Sequence, residues 1–187
     1  MANDDAPRGF WPIRHLTGGM VRTNEYSIAA SFTTAIYQGD LVKLVAGGGV
    51  EGAAAGARLV GVFQGVNYTS PTGEQVYSKY WPGTASCTNI VATVADDPMT
   101  IFGVQSAGST VAVDIGNLGD HVATTGDTVT GQSYQELNGT TSTAYAGFRV
   151  LGKIDAPGNA YGTNVDLEVQ LVEHEYMPGN EATTPGV

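Results

Sequence analysis

Asp166-Leu-Glu-Val-Gln-Leu171 puts Leu167, Val169 and Leu171 on one side of an extended chain and Asp166, Glu168 and Gln170 on the other. A helix would scatter these six residues around its circumference. A strand with one buried and one wetted face takes them as they stand, and such strands build antiparallel sheets. The period recurs upstream. Phe148, Val150 and Ile154 oppose Arg149 and Lys153, and Val111, Val113 and Ile115 oppose Ala112 and Asp114. No long amphipathic helical period appears. Residues 52–59, rich in Ala, admit one helical turn at most, because two glycines weaken it. Candidate strands lie near 26–30, 40–46, 59–68, 75–81, 89–95, 99–105, 109–115, 128–135, 143–154 and 164–174. Turn signals divide them: a flexible Gly47-Gly48-Gly49, then Asp96-Asp97-Pro98, then Asn138-Gly139 as a hairpin turn. The expected fold is therefore all-β, an antiparallel sandwich or barrel of jelly-roll or tulip-like form.

Composition agrees with that reading. Val and Thr number 20 and 21 against 9 Leu, and these β-branched types fit a pleated surface better than a helix. The 26 glycines fit a chain of many turns. A chain of 187 residues with 42% hydrophobic content suffices for one domain with a sizeable core. The expected organisation is an extended N-terminal arm over 1–24, a single all-β domain over 25–176, and a loose tail over 177–187. Pro7 and Pro12 deny the arm a regular helix. Its Phe10, Trp11, Ile13 and Leu16 are too apolar for a free tail and must pack on this domain, a neighbouring subunit or another protein.

The net charge of −10 sets limits on partners. Lys43, Lys79 and Lys153 are the only lysines, so phosphate-driven binding of nucleic acid is not expected. The charge is uneven. Residues 1–22 hold Arg8, Arg14 and Arg22 against Asp4 and Asp5, whereas the remainder carries five basic and sixteen acidic residues. Cys87 is the only cysteine and reads as a small buried hydrophobe. No secretory signal and no membrane-spanning run are expected.

Motifs for chemistry are sparse. Gly47–Gly52 has the glycines of a dinucleotide loop without the helix that must follow. His15, His121 and His174 have no second His or Cys at zinc spacing. Glu173-His174-Glu175 offers two carboxylates on one strand face, as a weak cation site or a solvated acidic edge. Asp96 and Asp97 point to opposite faces if extended, and read as a turn. No catalytic residue, cofactor or metal site is expected. Gln38-Gly39-Asp40 and Thr125-Gly126-Asp127 echo each other as tight turns capped by Asp.

The large side chains concentrate at Tyr77, Tyr80 and Trp81. On a strand over 75–81, Gln75, Tyr77, Lys79 and Trp81 share a face. That face suits a subunit boundary, a core strand whose Lys stem reaches solvent, or a sugar-stacking platform.

Several stretches resemble a family of tailed-phage virion proteins: Asp5–Gly19 (DAPRGFWPIRHLTGG), Tyr37–Leu44 (YQGDLVKL), Gly61–Thr84 and Val94–Gln105. Its better understood members are capsid cement, or decoration, proteins. The resemblance covers most of residues 4–105. It implies a noncatalytic homotrimer on the outer capsid surface, made in the host cytoplasm. Its partner would be the major capsid protein, with neither nucleic acid nor membrane involved. It assigns Arg8, Phe10, Trp11, Arg14 and His15 to shell contact, and Tyr77, Tyr80 and Trp81 to the subunit interface. The rival readings are a tail- or fibre-associated virion module and a carbohydrate-binding domain using the 77–81 aromatics.

Overall fold

The alternation read in the sequence becomes two layered sheets. The computed structural model describes residues 3–139 and 147–177. Its strands are β1 (Trp11–His15), β2 (Asn24–Ser27), β3 (Leu41–Leu44), β4 (Val50–Gly52), β5 (Gly61–Thr69), β6 (Gln75–Ser78), β7 (Thr88–Ala95), β8 (Thr100–Gln105), β9 (Leu118–Gly119), β10 (His121–Val122), β11 (Glu136–Leu137), β12 (Phe148–Lys153) and β13 (Asp166–Leu171). The first sheet runs β1-β8-β13-β12-β9. The second runs β2-β7-β5-β3-β4, with β6 also paired to β5, and β10 and β11 form a small ribbon. All these strand pairings are antiparallel. The fold is all-β and sandwich-like.

Period-two alternation splits the apolar side chains of the second sheet between two cores. Leu41, Val62 and Ala95 face the first sheet and join Phe102, Val104, Phe148, Val150, Leu167, Val169 and Leu171. Their sequence neighbours Val42, Phe63 and Val94 point the other way, into a second core with Ile36, Trp81, Cys87 and Ile90. The β5 register slips between Phe63 and Gly65. That bulge lets both Phe63 and Val66 reach the second core although they are three residues apart.

Residues 1–24 do not form a separate arm over their described part. Phe10 is 1% exposed and stacks on Phe148 with ring centroids 4.6 Å apart. β1 pairs with β8 as the edge strand of the first sheet. The Asn3 amide bonds the Ala160 and Thr163 carbonyls. Of the four apolar residues that needed a partner, Phe10 finds it in the chain's own core, where burying one such ring contributes about 1.5–3 kcal/mol.

Other expectations also change. Residues 109–115 form a 3-10 turn at Ala112–Asp114 rather than a strand. The Asp114 carboxylate accepts from the Val111 N–H at 2.8 Å, a local bond that competes with sheet pairing. Val111 and Val113 are exposed, and only Ile115 packs on the first core. In 128–135 the Asp127 side chain caps a turn through Val129 N and Thr130 Oγ1, and Gln132 makes a single bridge to Gln38. The two Gly-Asp turns thus lie side by side, but only the first opens a strand. Asn138-Gly139 leads into residues 140–146, outside the described residues, so the second arm of its expected hairpin lies there too; on the described side β11 pairs back to β10. Residues 143–146 of one expected strand, and the tail beyond 177, lie outside the described residues.

Candidate interaction surfaces

Two tight glycine contacts seat the N-terminal segment, one against the loops at Gly39 and Ser133 and one on the first sheet. Gly9 has φ +71°, and a Cβ there would meet Ser133 at 2.6 Å. The close approach lets the Phe10 N–H donate to Gly39 O at 2.9 Å and seats the ring in the core. Next, Trp11 lies over Gly103 on the outer sheet face, where a Cβ on Gly103 would stand 2.2 Å from the indole. Gly103 pairs with Trp11 on one side and Glu168 on the other. Its lack of a side chain leaves the room that the Trp11 indole fills, and Arg14 on the same strand as Trp11 reaches past β8 to bond Glu168 at 2.8 Å. Arg8 stacks over the Trp11 ring at 4.0 Å and bonds Asp166 at 2.8 Å. Both ion pairs are part-exposed and contribute at most about 1 kcal/mol each.

His15 closes this strand. Its Nδ1 accepts from the Thr17 hydroxyl at 2.9 Å, so its Nε2 donates to Asp97 at 3.1 Å. Of the five residues expected at the shell, Phe10 is therefore internal. Arg8, Trp11, Arg14 and His15 stay at the surface, with partners in their own chain. The free side of β1 and the loop after it carry exposed Ile13, Leu16 and Met20, the last 88% exposed.

The aromatic cluster divides. β6 ends at Ser78, after which Trp81 exchanges backbone bonds with Ile36 and turns inward to 0% exposure. Its Nε1 donates to Phe32 O at 3.2 Å, and Tyr68 meets it edge-on at 5.2 Å. Tyr80 stacks on Tyr37 at 5.5 Å. Trp81 is thus a core residue and cannot line a subunit interface. Tyr80 is only partly exposed beside Tyr37. Tyr77 alone of the three stands in solvent, 80% exposed. It and Lys79 do share a face, as the alternation suggested. They line an open groove of about 530 Å³ with Glu25, Gln64, Asn67 and Thr93. Sequence reasoning missed those last four, because three strands bring them together. Gln64 Nε2 is shielded from solvent and has no hydrogen-bond partner among the described residues.

A polar knot ties the sheets at the β7–β8 turn. Asn24 donates to both Asp96 oxygens at 3.0 and 2.9 Å, and the Tyr26 hydroxyl donates to Asp96 as well. Burial, with the bond to Asp96, drives the Tyr26 pKa far above its ordinary value. His174 donates from Nε2 to Asp96 O at 2.9 Å and accepts the Tyr176 N–H at Nδ1. Burial lowers its pKa, which fits this neutral, doubly bonded ring. Glu173-His174-Glu175 is therefore no simple solvated edge, since its centre is buried. Among the described residues no group of three His, Cys, Asp or Glu is placed to hold a metal. None of their helices is long and apolar enough to cross a membrane.

Comparison with protein families, with curated proteins and with solved structures finds no match to this chain.

Proposed function

We propose that the chain is a structural virion protein, a capsid cement that binds the assembled phage head from outside as a homotrimer and clamps neighbouring capsomers. The observation that carries this reading is the β1 margin. Among the described residues β1 is an edge strand whose outer backbone groups have no partner strand, and Ile13, Leu16 and Met20 stand exposed along and just beyond it. An unpaired edge is a template for strand addition, and clustered exposed apolar side chains mark interaction surfaces. The half-exposed Arg14, bonded to Glu168 in its own chain, lies between those side chains and would exchange or share that partner for a capsid carboxylate. His15, bonded at both ring nitrogens, is left out of the shell contact. The sequence resemblance over residues 4–105 supplies the partner. Binding the lattice and not free subunits would stabilise the expanded shell by mass action. No catalytic step belongs to this proposal. Tyr80 and Trp81 are left out of the subunit contact, because Trp81 is buried and Tyr80 stacks on Tyr37 of its own chain.

The test is mass photometry of the purified protein, then co-sedimentation with expanded shells of the source phage. The expected result is a trimer that saturates the shells, with binding lost in the Leu16→Asp, Met20→Asp double variant while its thermal unfolding is unchanged. A monomer that stays in the supernatant contradicts the proposal.

A further inference from the structure

The groove beside Tyr77 lies on the face of the second sheet that turns Val62 and Ala95 toward the first core, and none of its lining residues belongs to that core. Val66, Tyr68, Ala92 and Val94 turn toward the second core. Asn67 and Thr93, on the alternate positions, turn the other way, and Asn67 stands opposite Tyr77 in the ladder. The floor is cut by Gly65 at the β5 bulge, which has no side chain to fill the space. The lining therefore combines one freely exposed ring with two amides, a hydroxyl, a carboxylate and an ammonium.

The charges of that lining cancel. Glu25 contributes one carboxylate and Lys79 one ammonium, and neither forms an ion pair among the described residues. In a chain with net charge −10, an unpaired lysine beside an exposed tyrosine stands out from its surroundings. Gln64 Nε2 adds a shielded donor without an acceptor among the described residues, a state that polar groups in folded proteins seldom keep. A ligand for this groove needs a flat apolar face for the ring, many groups that donate and accept at once, and no net charge. Sugar rings have these properties. Anionic or cationic ligands would meet one wall with the wrong sign.

We propose that this groove is a saccharide-binding site, in which neutral hexose or N-acetylhexosamine units stack on Tyr77. Their hydroxyls hydrogen-bond to Gln64, Asn67, Glu25, Lys79 and Thr93. The site stands on its own geometry and does not depend on shell binding.

The experiment titrates the whole ¹⁵N-labelled protein with cellotetraose, maltotetraose and the N-acetylglucosamine tetramer, each to about 10 mM, a range that detects millimolar affinity. The expected result is that at least one shifts amide signals of residues 64–67, 77–79 and 93. Tyr77→Phe should keep that response, and Tyr77→Ala should weaken it about tenfold, the size of a lost ring contact. Because Tyr77 is exposed, both variants should keep the wild-type spectrum without sugar. No shift with any of the three, shifts elsewhere on the protein, or full binding by Tyr77→Ala would overturn the proposal.

Discussion

The two cores share one sheet and differ in what covers them. The first lies between two sheets, and strand residues supply most of it from both sides. The second is closed on one side by the same sheet, and its Ile28, Ile36, Trp81 and Cys87 come from chain outside the regular strands. A sheet-on-sheet core is set by alternation along each strand. A core under irregular chain depends on single anchors, each held by its own local bonds. Trp81 is the largest of these, fixed by Ile36, Phe32 and Tyr68.

That difference is open to test, most strongly at the anchors. Trp81→Ala should cost about 3–5 kcal/mol, the range for deleting a fully buried large aromatic. In hydrogen exchange the loss should appear first in residues 28–37 and 79–90, while β12 and β13 keep their protection. Phe148→Ala, at similar cost, should lower protection in both sheets, because it removes the partner of Phe10 as well. Uniform loss in both variants would show that the cores unfold as one.

A smaller effect is expected at Asp40, on the seam where Leu41 enters one core and Val42 the other. Burial pushes its carboxyl from 3.8 up to about 6, although Ser133, the Tyr37 N–H and His121 favour the anion. The folded state thus prefers the proton more than the unfolded chain does. This contribution to stability is full below about pH 4 and is lost as pH rises through about 6. Asp40→Asn retains an acceptor for the Tyr37 N–H and removes the charge. It should flatten that part of the pH profile and raise stability at pH 7 by about 1–3 kcal/mol in chemical denaturation. An unchanged slope between pH 4 and 6 would remove Asp40 from the account.

The smallest effect concerns neither core. A double-mutant cycle on Arg14 and Glu168 should give a coupling of about 0.2–1 kcal/mol that shrinks in high salt. A larger, salt-insensitive value would mean that the outer face, and not Phe10, holds the N-terminal segment in place.

What was legible in the sequence follows the same division. Leu167, Val169 and Leu171 face inward as their alternation requires, and Phe148 and Val150 join them. The buried state of Cys87 was also readable from its apolar surroundings. The need of Phe10 for a partner was plain, but its destination was not, because Phe148 lies far away in sequence. Trp81 shared apparent strand parity with Tyr77, and nothing local marked the chain leaving the strand after Ser78. Val111 and Val113 alternated correctly and still lost to the Asp114 cap. The groove drew on β2, β5, β6 and β7, so only its Tyr77–Lys79 wall was visible beforehand.

The most direct test of the cement proposal is a cryo-EM reconstruction of expanded shells incubated with the protein. The account expects trimeric density over the threefold and quasi-threefold positions, with the β1 edge and residues 13–20 turned toward the shell. Bare shells, or density at those positions with the β1 edge facing solvent, would contradict it.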